Sequence, residues 1–532
     1  MTDYAEYNSA FPTPQGKLPW VGLVAVLLGA FISTLNGRLS TFGLADIRGA
    51  VHAGFDEGAW ITTAQTVAQM LVVPVAVWMG KAYGPRRVLL VAASVFATTS
   101  LAAPLSSDLS MLLICQFCGG LASGFFIPLT LSFILRNVPP RFWAYGVAIY
   151  ALNLEFSLNV SASLEGWYVD HLSWMWIFWQ NVPLAVGMVV CLRFGAPPDV
   201  LDPVRPAKDW YGLFCGGAGL ALIYAAIDQG NRLDWLNSGL VWSLLLAGGV
   251  LLTGFLVHEM RTPHPLINLK TFFTPPLLIL LSLTAFLRLT ILSTAYLIPQ
   301  YLGVVRGFRA IEVGQALIWI ALPQLILCPL AGFMLRRLDP RLVASIGFVF
   351  ISMACLIVAH GLTPLWGSDQ FLPTQLLQAM GQSFAVSGIA FLGVLRMQDA
   401  LTFGAANQTA RLLGGEIGQA FVVTFVRVRS QIASNLIGIH VQSGVGPVVQ
   451  RLHVYAALTM QAGDARGAPS RATEILGAAV RTAATTQGII DAFVTLSGLT
   501  AVALVLLAAQ KAAPALPSTQ MPAGTSRGIA SP

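Results

Sequence analysis

Residues 18–42 read LPWVGLVAVLLGAFISTLNGRLSTF. Through Leu35 the stretch is almost wholly apolar. A helix rising about 1.5 Å per residue needs roughly 20 such residues to cross a hydrocarbon core ~30 Å thick, and this run is long enough. Yet it carries Arg38 near its end. A charge inside a membrane span is costly and by default marks a transport pathway, a proton relay or an obligatory ion pair. One stretch therefore supplies both a fold class and a first functional residue.

The rest of the chain repeats the pattern. Hydrophobic residues make up 56% of the 532 and charged residues only 10%, where soluble domains carry about 25% charged residues. Mean hydropathy is +0.72. Further apolar runs lie near 59–79, 88–106, 111–135, 143–166, 174–194, 210–228, 235–257, 272–300, 311–335, 342–360, 369–392, 404–427 and 489–509. The expected fold is an all-α polytopic membrane protein with 14 transmembrane helices. An even number places both termini on one side. Residues 1–17 lack the basic region and cleavage site of a signal peptide, so this start is read as retained.

Short-loop basic residues mark the cytoplasmic face. Lys81, Arg86 and Arg87 follow the second run, Arg136 and Arg141 the fourth, Arg205 and Lys208 the sixth, and Arg336, Arg337 and Arg341 the tenth. The opposite loops carry Asp46, Asp56, Glu57, Asp108, Asp170 and Asp234, with Arg306 and Arg309 as exceptions. Both termini are expected in the cytoplasm. The net charge of +7 follows from this asymmetry and calls for no nucleic-acid partner. No Walker-type phosphate loop or zinc-site spacing of Cys and His is present, so no cofactor, metal or catalytic residue is expected.

Two passages narrow the class. Gly166 to Phe178 read GWYVDHLSWMWIF, followed by Asn181-Val182-Pro183, and span thirteen carries Asn407, Arg411, Gly414, Gly415 and Gly418. These resemble the Gly-Gly-Trp…Asp…Ser-Trp-Arg-Trp-x-Phe…Asn-x-Pro passage and the Asn-x-x-Arg-x-x-Gly-Gly-x-x-Gly motif of the major facilitator superfamily, in its fourteen-span drug:proton antiporter branch of EmrB-like multidrug exporters. The resemblance covers essentially the whole chain. It implies two six-helix bundles, 18–194 and 272–510, separated by a cytoplasmic linker at 195–209 and two additional helices at 210–257. It also implies a cytoplasmic segment at 1–17, a disordered cytoplasmic tail at 511–532, and an outer-side segment at 430–488 that either extends spans thirteen and fourteen or docks another protein.

Departures from the family pattern are informative. In Trp78-Met79-Gly80-Lys81-Ala82-Tyr83-Gly84-Pro85-Arg86-Arg87, Lys81 stands where the family's loop signature has Asp, whereas the counterpart at 332–341 retains Asp339 and Arg341. These five residues, Lys81, Arg86, Arg87, Asp339 and Arg341, are the gating candidates. Neutral Gln116 replaces the span-four Arg linked to proton coupling, Asn36 replaces a span-one Asp, and Arg38 a Thr. The usual coupling sites are thus absent.

Replacements occur in both halves. Arg38 and Glu155 lie in spans one and five, and Arg288 and Glu416 in their repeat equivalents, nine and thirteen. The pairs expected on that basis are Arg38 with Glu155 and Arg288 with Glu416, as structural ion pairs. Alternatively a carboxylate carries the coupling proton, Glu155 ahead of Glu416, or an Arg attracts an anionic group on the substrate. Arg411 completes the set of embedded charges and is expected to secure a helix end. Asn36, Gln116, Asn153, Asn159, Gln315, Gln378 and Tyr296 are candidates to line a substrate cavity. Asn159, four residues from Glu155, is placed to bridge to it.

The function expected is proton-driven export of amphipathic or aromatic organic compounds across a bacterial inner membrane by alternating access. Its partners are a small-molecule substrate, protons and membrane lipids, with a periplasmic adaptor and an outer-membrane channel implied by the resemblance. A dedicated metabolite or siderophore exporter, or a non-transporting sensor of the same fold, stays open.

Overall fold

The computed structural model describes residues 20–199, 209–262, 265, 273–396, 400–441, 445–461 and 467–510. The segment expected at 1–17, most of the linker at 195–209 and the tail at 511–532 lie outside them. Among the described residues, thirteen helical segments are long and apolar enough to cross a membrane. They are α1 (Trp20–Phe42), α2 (Phe55–Tyr83), α3 (Pro85–Leu105), α4 (Leu109–Asn137), α5 (Pro140–His171), α6 (Trp176–Gly195), α7 (Trp210–Gly230), α8 (Gly239–Arg261), α9 (Pro275–Val305), α10 (Ala310–Leu335), α11 (Pro340–Gly361), α12 (Asp369–Arg396) and, last in the chain, α14 (Ala468–Ala509). A further long helix, α13 (Ala400–His440), contains the remaining expected span. Asn407, Gln408, Arg411 and Glu416 in its first half, with Arg427 and Arg429 beyond, make it too polar to qualify by composition. Sequence and structure thus agree on fourteen long helices and differ on how apolar one of them is.

Helices α1 to α4 and α6 pack mainly among themselves, with α5 joined to them along α1, and α9 to α14 form a second group in which α10 is joined along α12. The two groups meet along α5 against α10 and where α13 crosses α4. Small residues permit the close approach that holds helices together in lipid, where no hydrophobic force acts between them. A Cβ placed on Gly314 of α10 would lie 2.6 Å from Ser163 Cα of α5. One on Gly404 of α13 would lie 2.6 Å from the Pro128 carbonyl of α4. These contacts stand at opposite ends of the molecule, so the groups are closed against each other at both. The span-thirteen glycines act as their spacing suggests: Gly414 and Gly418 face Ala285 and Leu289 of α9.

Helices α13 and α14 contain 41 and 42 residues. At ~1.5 Å per residue each is about 60 Å long, twice the hydrocarbon thickness. They continue past the membrane at the end bearing Asp170, joined by Arg429–Asp491 at 2.5 Å. The helix Gly446–Gln461 packs against α14.

Candidate functional site

Span nine does not run as one regular helix. Its second half passes through π-helical turns at Ser293–Leu297 and Tyr301–Val305. Pro299 explains why the ladder fails there: it has no N–H for the Ala295 carbonyl, which would be its α-helical partner. Arg38 of α1 takes up that acceptor, donating from Nη2 at 2.9 Å, while its guanidinium lies 5.0 Å from the Phe42 ring centroid. The embedded cation of the first group thus satisfies an orphaned carbonyl of the second.

Glu155, 1% exposed, accepts a 2.9 Å ion-paired hydrogen bond from Arg288 Nη1 of α9. The within-half pairs Arg38–Glu155 and Arg288–Glu416 are therefore not formed. The matched helices line the junction between the two groups, and their charges reach across it to the other group. Glu155 uses only one oxygen: Oε2 has no hydrogen-bond partner among the described residues. Asn159 reaches the backbone carbonyl of Glu155 at 2.9 Å and Gln382 Oε1 at 2.9 Å. Gln382 in turn donates to Thr294 at 2.9 Å, and Gln324 donates to Gln382 at 3.2 Å. This buried polar network joins α5, α9, α10 and α12.

Arg411 belongs to the same centre. It is buried, donates to Gln408 Oε1 at 3.0 and 3.2 Å, and stands within electrostatic range of Arg288 and Glu155. It does not secure a helix end. Glu416 is five residues on, about 140° around the helix at 100° per residue, and faces elsewhere. Its Oε2 accepts from Tyr224 of α7 at 2.8 Å, and its carboxyl lies beside that of Asp228. Asp228 also accepts from Thr63 of α2. Helix α7 thereby touches both helix groups.

The cavity candidates divide. Gln378 donates to Ser293 at 3.0 Å, close to the α9–α12 network, and Tyr296 is half-buried on α9. Asn36 accepts from Asn181 at 2.7 Å and Asn153 donates to the Leu27 carbonyl at 2.9 Å, both within the first group. Gln116 is buried with its Nε2 unpartnered among the described residues. Gln315 is exposed and does not line the centre. It precedes the inward-facing Gln324 by nine residues, which at 100° per residue places the two on opposite faces.

At the loop following α2, Lys81 replaces the family's Asp, but the acid arrives from elsewhere. Asp199, after α6, accepts from the backbone N–H groups of Arg86 and Arg87, each at 3.1 Å, at the N-terminus of α3. That position favours a carboxylate. Arg86 also donates to the carbonyls of Leu192 and Arg193. The expected loss of a charge at this loop is thus made good by Asp199. In the counterpart loop Asp339 caps α11 and pairs with Arg341 at 2.9 Å, and Arg341 donates to the Gln510 carbonyl at 2.7 Å. Arg341 hydrogen bonds hold the Asp339 carboxyl below its ordinary value.

Two acids escaped the sequence reading. Asp228 is the last residue of the apolar run at 210–228 and is not among the embedded charges read from the sequence, although the helix continues past it to Gly230. Asp199 follows Pro197 and Pro198 and was grouped with the linker. Among the described residues, no group of three His, Cys, Asp or Glu side chains is arranged to hold a metal ion.

A family model described as Major Facilitator Superfamily matches residues 26–419. The probable multidrug resistance protein EmrY of Escherichia coli K12 is 28% identical over 431 residues, covering 78% of this chain and 81% of its own length. The fatty acid resistance protein FarB of Neisseria gonorrhoeae is 23% identical over 466 residues, covering 86% and 89%. Among solved structures, the proton:xylose symporter XylE superposes with a TM-score of 0.59 at 10% identity, over 93% of this chain and 96% of that one.

Proposed function

This chain belongs to the Major Facilitator Superfamily, a family of membrane transporters, and on that premise we propose that it exports amphipathic or aromatic organic compounds across a bacterial inner membrane in exchange for protons. The observation that carries the proposal is the Arg288–Glu155 pair, which joins the two helix groups and leaves Glu155 Oε2 without a partner among the described residues. Water reaching Glu155 from the acidic side protonates it there. The O–H bond forms on the carboxyl, the ion pair weakens, and Arg288 is left as an uncompensated charge. A unit of positive charge is thereby added to the centre, which expels cationic or weakly held apolar cargo as the groups rock apart. On the other side the proton leaves and the pair re-forms. Cargo and proton exclude one another, which is the condition for exchange.

The similarity to EmrY supports efflux of several compounds rather than one. We place both termini in the cytoplasm, from the Lys81, Arg86 and Arg87 side of the loop charges, so that the Asp170 end faces outward. The projecting parts of α13 and α14 with Gly446–Gln461, where Leu436, Ile439 and Leu458 are exposed, are where a periplasmic adaptor linked to an outer-membrane channel docks in this scheme.

A second reading rests on charge count. Arg38 and Arg411 both stand within electrostatic range of Arg288, whose ion-pair partner is Glu155, so three cations gather with one named carboxylate and the centre suits an anionic group on the cargo. The name of FarB, with fatty acid as an amphipathic anion, is in keeping with this. Such cargo binds better when Glu155 is protonated and travels with the proton instead of against it. Purified protein in liposomes separates the readings. With an imposed pH gradient, a lipophilic cation accumulates against the proton flow in the first, and a fatty acid moves with it in the second. In the exchange reading, Glu155→Gln abolishes gradient-driven flux and Glu416→Gln retains it. Normal flux in both variants sinks the coupling role.

A further inference from the structure

Helix α7 stands between the two helix groups, and its last turns are bonded to both. At the end bearing Arg86 and Asp199, α2 of the first group meets α13 of the second directly: a Cβ on Gly80 would lie 3.0 Å from the Leu401 side chain. At the Asp170 end the same two helices are joined through α7. We propose that α7 is a gating element that travels with α2, and that its bonds to α13 are the latch that holds the Asp170 end shut.

The attachment of α7 to α2 runs along the whole helix. At its start, the Trp210 ring lies 5.7 Å from that of Trp78, centroid to centroid. Midway, Gly217 packs against the Leu71 carbonyl with no room for a Cβ, so the two backbones touch. At the Asp170 end, Thr63 donates to Asp228 and accepts from Gln229 at 2.6 Å, and Arg232, just past α7, pairs with Asp56 at 2.9 Å. The bonds to α13 are of another kind. Tyr224 donates to Glu416 at 2.8 Å, Asn231 to the Ala420 carbonyl at 3.1 Å, and Thr424 to Asn231 Oδ1 at 2.5 Å. Glu416, Ala420 and Thr424 follow one another at intervals of one helical turn and share one face of α13. Counted from Ala400 at ~1.5 Å per residue they lie ~24–36 Å along the helix, near the Asp170 boundary of a core ~30 Å thick. Trp235 also donates to Asn231 Oδ1, at 3.2 Å, and orients the amide.

The two attachments differ in what breaking them costs. A side-chain hydrogen bond is exchanged for bonds to water once an opening admits it, at a small net cost. Backbone packed on backbone at a glycine has no such exchange, because what it loses is dispersion contact. When the groups part at the Asp170 end, α13 therefore leaves with the second group while α7 stays on α2, and the bonds of Tyr224, Asn231 and Thr424 break together. Closure re-forms them. The latch draws on the proposed export only for the parting of the two groups at this end. It needs neither cargo nor a gradient, so it stands or falls separately from the coupling role of Glu155.

Distances between paired spin labels test which helix α7 follows. One label is placed on Leu236→Cys, just past α7, and the other on Val428→Cys of α13 or on Phe55→Cys at the start of α2; all three parent residues are exposed. The half-buried Cys115, Cys118 and Cys191 are replaced by Ser, and the protein is held in lipid nanodiscs without cargo. Thr424→Val removes one latch bond and is expected to raise the population at the longer α7–α13 distance about fivefold over the parent. Asn231→Leu removes two and is expected to raise it about 20-fold. The α7–α2 distance keeps its parent value in both. Thr63→Val, a comparable loss on the α2 side, leaves the α7–α13 population unchanged. An α7–α13 distance that does not respond to Thr424→Val overturns the proposal, as does an α7–α2 distance that lengthens with it, or an equal rise in Thr63→Val.

Discussion

Glu155 and Glu416 occupy repeat-equivalent helices, yet their environments share almost nothing. Glu155 is enclosed at the junction of the two helix groups and is held by an Arg from the opposite group. Glu416 faces α7, bonded to the Tyr224 hydroxyl and next to the Asp228 carboxyl. Equivalent position along a helix does not fix direction around it. Arg411 takes the face of α13 that looks to the centre, and a spacing of five residues turns Glu416 away. In the proposed exchange the first carboxylate senses which way the groups are closed, whereas the second is tied to α7.

The largest expected effect comes from breaking the central pair. Arg288→Ala leaves Glu155 uncompensated in the core, and is expected to lower unfolding stability by about 3–5 kcal/mol at neutral pH. Arg288→Ala with Glu155→Ala recovers most of that loss. Denaturation of the purified parent, single and double variants checks this. A double variant no more stable than Arg288→Ala would mean that the pair matters for packing alone.

A smaller effect is expected on the other side of the comparison. Tyr224→Phe removes one hydrogen bond from Glu416 and is expected to cost about 1 kcal/mol, with gradient-driven flux retained. If flux disappears with little change in stability, the two carboxylates are not separate in role.

Asp339 extends the contrast outside the membrane, where a carboxylate and its Arg are neighbours in sequence. Its lowered pKa means that stability is gained above the unfolded value, ~3.9, and lost as pH falls through the folded one. The melting temperature of the parent should therefore exceed that of Asp339→Asn at neutral pH and converge with it in strong acid. Melting curves for both proteins across that range measure it. A constant gap would assign the difference to capping geometry instead of charge.

The membrane fold was legible because it rests on composition: apolar runs near 20 residues leave few alternatives to spanning helices. The embedded charges were legible for the same reason, standing out against 56% hydrophobic residues. Their partners were not. Pairing depends on azimuth and on the packing of helices distant in sequence, and Glu155 and Arg288 are 133 residues apart. Gln315 shows the same limit from the other side, as a polar residue in a span that turns outward. The acceptor for Arg38 was within reach of sequence reasoning, because Pro299 leaves the Ala295 carbonyl unmatched. Asp228 and Asp199 sit at segment boundaries, one at the end of an apolar run and one in a Pro-rich connection, where sequence alone does not say which helix end a carboxylate meets.

Proton release on cargo binding tests the role of Glu155 most directly. The purified protein is titrated with tetraphenylphosphonium in weakly buffered solution while a pH indicator counts protons released. The parent and Glu416→Gln should release protons in proportion to cargo bound, and Glu155→Gln should bind cargo without releasing any. Undiminished release from Glu155→Gln would contradict the account.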